Sequence, residues 1–140
     1  MGSEPDMTNS KGRILLAEDD VAILKVTQLR LTHAGFEVVT ASDGEEALHL
    51  LLQNGGIELV LLDLKMPKLD GFEVCQRLKA DPRTAKIPII IFTASSIHWN
   101  AITDKCIELG VTDWLKKPFQ SKELIDKIRK ALGQPGAAHA

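Results

Sequence analysis

Five short apolar runs recur along this chain, and each is followed by a longer stretch whose apolar residues repeat at helical spacing. That alternation constrains the fold more than any single residue does. A strand changes face every second residue and a helix turns about every 3.6, so neither pattern can stand in for the other. The first run is Arg13–Ala17 (RILLA), a short buried strand. Val21–Ala34 carries apolar residues at Ile23, Leu24 and Leu31 and stops at Gly35. Phe36–Ala41 is the second strand. Ser42 then opens a capping box with Glu45, which starts a helix over Glu45–Gln53 that Asn54-Gly55-Gly56 ends.

Ile57–Leu62 (IELVLL) is the most apolar run and belongs at the centre of a sheet. Gly71–Ala80 follows as a helix closed by Asp81-Pro82. Ile87–Phe92 is the fourth strand, with Pro88 near its start where a missing N–H is tolerated. A helix near Asn100–Leu109 ends at Gly110, Val111–Leu115 is the fifth strand, and Ser121 caps a last helix over Ser121–Leu132. Strands alternating with helices imply a parallel sheet covered on both faces. Right-handed crossovers then give an α/β, flavodoxin-like doubly wound (βα)5 fold with a central five-stranded parallel sheet.

The chain of 140 residues suits one domain over residues 12–133, with residues 1–11 and 134–140 as loose, disordered tails. A formal charge of −2 argues against direct nucleic-acid binding, which needs a strongly basic face. No apolar run reaches the roughly 18 residues of a membrane span, and the polar N-terminus lacks the apolar stretch of a signal peptide. Cys75 and Cys106 lie in amphipathic patterns without metal-ligand spacing and are expected as buried free thiols. Together these features point to a cytoplasmic protein.

In doubly wound folds ligands bind beyond the carboxyl ends of the strands. There the first strand ends in Glu18-Asp19-Asp20, the third in Asp63, the fourth in Thr93, and the fifth leads into Lys117-Pro118. Alone, the acid triplet serves equally well to favour a helix N-terminus. Beside Asp63, the same acids repel one another unless a cation compensates, and a hard divalent ion suits their oxygens. Asp63 follows an almost unbroken apolar strand, so it is either a hydrogen-bonded strand-end acid or, next to a metal, a nucleophile. Thr93 offers a hydroxyl donor and Lys117 a point charge, both suited to phosphoryl oxygens. A cis peptide before Pro118 would aim Lys117 inward.

The set Ile14-Leu15-Leu16-Ala17-Glu18-Asp19-Asp20, Leu61-Leu62-Asp63-Leu64-Lys65-Met66-Pro67 with Asp70-Gly71, Thr93-Ala94, and Lys117-Pro118-Phe119 closely resembles the receiver domains of two-component response regulators. The resemblance runs from about Gly12 to Leu132. It implies that Asp63 is the phosphoacceptor. It implies a Mg2+ ion, with Mn2+ as a substitute, held by Asp63, Asp19, Glu18 (directly or through water) and the backbone carbonyl of Lys65. Thr93 and Ala94 would meet the phosphoryl group, Lys117 would pair with it, and Trp114 occupies the position of the family's switch aromatic. Pro67, Gly71 and Pro118 would shape the flanking loops.

The implied partners are a sensor histidine kinase or histidine phosphotransfer protein and a downstream effector or an output domain. The implied state is a monomer or a phosphorylation-dependent homodimer. Phosphorylation would alter the face formed by the fourth helix, fifth strand and fifth helix. The domain is then a phosphoacceptor that assists its own phosphorylation and dephosphorylation rather than an enzyme.

Lys65 and Ser95 each lie two residues past a site residue, at the pocket mouth, where Lys65 is expected to slow attack by water. The segment around Ser96-Ile97-His98-Trp99 is longer than the family's usual one. His33, His49, His98 and His139 share no spacing and are expected at the surface. A flavin-binding protein of the same fold would want a Ser/Thr/Gly-rich loop where Glu18-Asp19-Asp20 stands. A phosphatase with a strand-end aspartate would want a second acid where Lys65 stands. A degenerate receiver serving only as a protein-interaction module would lack site residues that are all present here.

Overall fold

A computed structural model describes residues 10–53, 55–94 and 98–134. Its elements are β1 (Arg13–Ala17), α1 (Val21–His33), β2 (Glu37–Ala41), α2 (Gly44–Gln53), β3 (Leu59–Asp63), α3 (Gly71–Ala80), β4 (Ile89–Thr93), α4 (Trp99–Leu109), β5 (Asp113–Lys116) and α5 (Ser121–Ala131). All five strands are parallel, in the order β2-β1-β3-β4-β5. The expected alternation and parallel sheet are therefore present. Asn54, Ser95, Ser96, Ile97 and His139, and most of both expected tails, lie outside the described residues.

Two cores flank the sheet. Leu15, Val60, Leu62, Ile89 and Ile91 pack beneath α2, α3 and α4, while Ile14, Leu16, Leu59, Leu61, Ile90 and Phe92 pack beneath α1 and α5. The period of two along each strand makes this division. β3 and β4 are buried along their whole length, as expected for strands covered on both faces. Cys75 on α3 and Cys106 on α4 are buried free thiols. Burial pushes Cys106 up to about 11 and raises Cys75 in the same direction. Among the described residues, no helix is long and apolar enough to cross a membrane.

Several boundaries differ from the sequence expectation for local reasons. Asp43, not Ser42, caps α2: its Oδ1 accepts the Glu46 amide at 2.8 Å, while Glu46 Oε1 accepts the Ser42 amide at 2.7 Å. Ser121 is the first residue of α5 rather than its cap, and the cap residue Gln120 makes no side-chain capping bond. β3 begins at Leu59 rather than Ile57 and extends through Asp63, so the acid is itself a strand residue. β4 likewise begins after Pro88. β5 starts at Asp113 because Gly110, at φ 74°, closes α4 and the Val111 amide reaches back to the Cys106 carbonyl.

Leu61 is fully buried at the centre of the sheet. Leu61→Ala is expected to lower the unfolding free energy by about 2–5 kcal/mol in urea titration. Ile107→Ala, on the exposed side of α4, is expected to change it by no more than about 0.5 kcal/mol.

Candidate functional site

Parallel pairing carries the carboxyl ends of β1, β3, β4 and β5 to one edge. Glu18 follows β1, Asp63 ends β3, Thr93 ends β4, and Lys117 follows β5. Glu18, Asp63 and Thr93 are buried, whereas Asp19 is exposed. One ligand oxygen from each of Glu18, Asp19 and Asp63 lies within 4.8 Å of the others. Asp20 takes a different role. Its Oδ1 accepts the amides of Ala22 and Ile23 and caps α1. The triplet thus divides: the helix-cap reading holds for Asp20, while Glu18 and Asp19 join Asp63.

Lys117 ties the buried acids together. Its Nζ donates to Glu18 Oε1 at 2.6 Å and to Asp63 Oδ2 at 3.4 Å. It also stands 4.9 Å from the centre of the Phe92 ring, and Phe119 meets that ring edge-on at 6.0 Å. The support from Phe92 was not legible in the sequence, because it depends on the register that sets Asp63 beside Phe92. The Lys117-Pro118 peptide is cis, the isomer that the sequence permits and that would aim Lys117 inward. The Lys117 amide donates to the Thr93 carbonyl at 2.8 Å, which joins the ends of β4 and β5.

The electrostatics follow from two buried carboxyl groups sharing one lysine. Burial pushes Asp63 up to about 7, and the hydrogen bond and negative charge of Glu18 add to the rise; Lys117 and the Lys65 amide oppose it. Burial raises Glu18 as well, but its hydrogen bonds with Asp63, Lys117 and the Asp20 amide outweigh that and hold it below the ordinary carboxyl range. The pair therefore retains a proton to higher pH than separate acids would. The donor set fits a hard divalent cation: all oxygen, excess negative charge, and one member, Asp19, open to solvent. Burial of the other two separates the cluster from ordinary surface acids.

The remaining residues surround this centre. The Lys65 amide donates to Asp63 Oδ1 at 3.3 Å, and its side chain is exposed. Pro67 is exposed, while Met66 and Leu69 turn into the core. Asp70 caps α3 through a capping box with Glu73. Gly71 packs so closely that a Cβ there would lie 2.8 Å from the Asp63 carbonyl oxygen. Ala94 is exposed and, with Pro118 and Phe119, borders a cavity of about 690 Å3 against α1. Trp114 does not join the acids. It is half-buried on the α4 side of the sheet, level with Ile91, and by strand alternation Thr93 belongs to that same face. His33, His49 and His98 are exposed and stand apart from the cluster.

A family model of the response regulator receiver domain matches residues 14–129. Among curated proteins, the chain is 44% identical over 126 residues to the probable transcriptional regulator ycf27 of Pyropia yezoensis, covering 90% of this chain and 49% of that protein. It is 42% identical over 124 residues to the DNA-binding dual master transcriptional regulator RpaA of Synechocystis, covering 86% and 48%. The chain spans about half the length of the curated relatives it matches.

Among solved structures, a putative response regulator from Chloroflexus aurantiacus superposes with a TM-score of 0.80 at 32% identity, over 88% of this chain and 98% of that one. The receiver domain of a sensor histidine kinase from Pseudomonas aeruginosa, described with a magnesium ion coordinated in its active-site cleft, gives 0.79 at 28% identity, over 88% and 98%.

The carboxyl pair dictates how stability of the metal-free protein varies with pH. Asp63 titrates near 7 in the fold against an ordinary 3.8, so the folded state holds the extra proton between those values. Its stabilisation is complete below the lower value and is lost as pH rises through the upper one. Glu18 acts oppositely, but only at and below its ordinary 4.5. In EDTA, Tm is therefore expected to fall between about pH 5 and about pH 8. Asp63→Asn should flatten that slope and raise Tm at the alkaline end, and Mg2+ should raise Tm of the wild type there. A Tm that rises across this range would contradict the assignment.

Proposed function

The chain belongs to the family of response regulator receiver domains, and from that premise we propose that Asp63 accepts a phosphoryl group from a phosphohistidine on a sensor histidine kinase or histidine phosphotransfer protein. One observation carries the assignment: Asp63 is buried at the end of β3 against Glu18 and Lys117, with Asp19 at the open side. An Asp63 carboxylate oxygen forms a bond to phosphorus as the phosphorus–nitrogen bond of the donor breaks. The imidazole keeps the electron pair and takes up a proton.

Glu18, Asp19, Asp63 and the backbone carbonyl of Lys65 are the residues that would hold Mg2+, with Mn2+ in its place where supplied. An ion held by these residues would offset their negative charge and supply Lewis-acid stabilisation of charge developing on the transferred group. Lys117 already lies within reach of Asp63 and can pair with the transferred group. The Thr93 hydroxyl is the second donor, with Ala94 beside it. Positioning and charge neutralisation then supply most of the catalysis, so the domain promotes its own phosphorylation without being an enzyme of independent turnover.

The new phosphate brings charge and acceptor oxygens. Thr93 moves towards them, and Trp114, on the same face, turns into the space released. The result is a population shift of the α4–β5–α5 face, biased by contacts present only in the phosphorylated state. The names of the relatives direct the output towards transcription, through an effector or an output domain.

With acetyl phosphate and Mg2+, intact mass spectrometry is expected to show one phosphoryl adduct. It should be absent from Asp63→Asn and from samples without the ion. No adduct on the wild type would leave a protein-interaction module as the function. The exposed Lys65 at the pocket mouth is expected to slow hydrolysis, so Lys65→Ala should shorten the aspartyl-phosphate lifetime severalfold; an unchanged lifetime would remove that role.

A further inference from the structure

We infer that the first turn of α2 is a positioning element for the acceptor loop, acting through Gly44 and the Asp43–Lys68 ion pair. The inference rests on the reading of Asp63 as the phosphoacceptor. The loop in question, residues 64–70, joins β3 to α3. Its base is closed, because the Gly71 amide donates to the Leu64 carbonyl at 2.8 Å and Gly71 packs directly on the Asp63 carbonyl. Within it the Leu69 amide donates to the Pro67 carbonyl at 2.8 Å. Leu64, Met66 and Leu69 are buried in the same core as Ala47 and Leu51 of α2. The loop is a packed ring rather than a free connection.

Helix α2 is fastened to this ring at two adjacent points. A Cβ on Gly44 would overlap the Leu69 carbonyl oxygen and lie 2.6 Å from the Leu69 Cβ. Gly44 lies within α2 and has no positive φ. Alanine would be the better helix former there, so the close approach is what calls for glycine. Next to it, Asp43 Oδ2 pairs with Lys68 Nζ at 3.5 Å. Asp43 is itself held by its capping bond to the Glu46 amide. Lys68 sits at φ 71°, where side chains other than glycine are uncommon, and surrounding contacts must hold it there.

The consequence follows from which parts can yield. The base of the ring is locked and Met66 and Leu69 are buried. A push on Leu69 therefore passes to the exposed residues Lys65, Pro67 and Lys68. Lys65 gives its amide to Asp63 Oδ1 and would give its carbonyl to the ion. Gly44 touches neither, yet it sets where both lie.

The test compares wild type, Gly44→Ala and Lys68→Ala as full chains. Mg2+ affinity is measured by calorimetry without a phosphodonor, phosphoryl uptake from acetyl phosphate at saturating Mg2+, and folding by circular dichroism and urea titration. Gly44→Ala is expected to bind Mg2+ more weakly and to lose about tenfold or more in uptake with its helical signal retained. The Lys68 side chain is exposed, although its partner Asp43 is half-buried, and at 3.5 Å the pair contributes little to stability. Lys68→Ala should therefore keep the wild-type unfolding midpoint while its uptake slows by about threefold.

A purely structural role would move the midpoints and leave uptake unchanged. Affinities and rates within about twofold of wild type for both variants overturn the inference. If Gly44→Ala does not fold, Lys68→Ala decides by the same criterion. If the wild type takes up no phosphoryl group, the acceptor reading fails, and the Mg2+ affinities alone decide whether α2 positions the loop.

Discussion

The bridge from Lys117 to Glu18 and Asp63 is the interaction around which this molecule is organised. Two carboxyl groups at the ends of neighbouring buried strands repel each other in a poorly solvated place, and one ammonium answers both. A buried charge pair costs desolvation and is tolerated only when its geometry is well satisfied. The satisfaction here comes from elements far apart in sequence. Glu18 leaves β1, Asp63 ends β3, and Lys117 arrives after β5 with the Phe92 ring beneath it. Each crossover helix must fold back correctly for the three to meet.

The bridge also joins the two layers of the domain. Phe92 and Phe119, which support Lys117, belong to the core beneath α1 and α5. The loop after Asp63 is seated in the other core, through Met66 and Leu69. Trp114 and, by alternation, Thr93 also belong to that second side. Under the proposed function, a phosphate on Asp63 would change charge where both layers end, and packed interfaces, which switch between discrete arrangements rather than deform smoothly, would carry that change to the α4 side.

Concentrating negative charge at a strand edge works against stability. Burial is the main reason the Asp63 carboxyl is raised, and the hydrogen bond and negative charge of Glu18 add to it. Acids held together in this way favour a hard cation among them, and the cluster of Glu18, Asp19 and Asp63 offers it only oxygen ligands. The relatives extend about as far again as this chain.

The order of the elements was legible in the sequence because periods of two and of about 3.6 are properties of neighbouring residues. So was the set Glu18, Asp19, Asp63, Thr93 and Lys117, since each falls at a strand end and strand ends share an edge in a parallel sheet. Finer features needed the folded chain. Asp43 rather than Ser42 caps α2 because the Glu46 carboxylate turns back to the Ser42 amide, a choice between two adjacent capping residues that composition cannot make. Asp20 separated from the other two acids only when α1 started on it. The seat of Lys117 on Phe92 and the absence of room for a Cβ at Gly44 both depend on register and close approach between distant segments. Local pattern determined which residues could form the site; tertiary packing decided their distances, and with them their charges and partners.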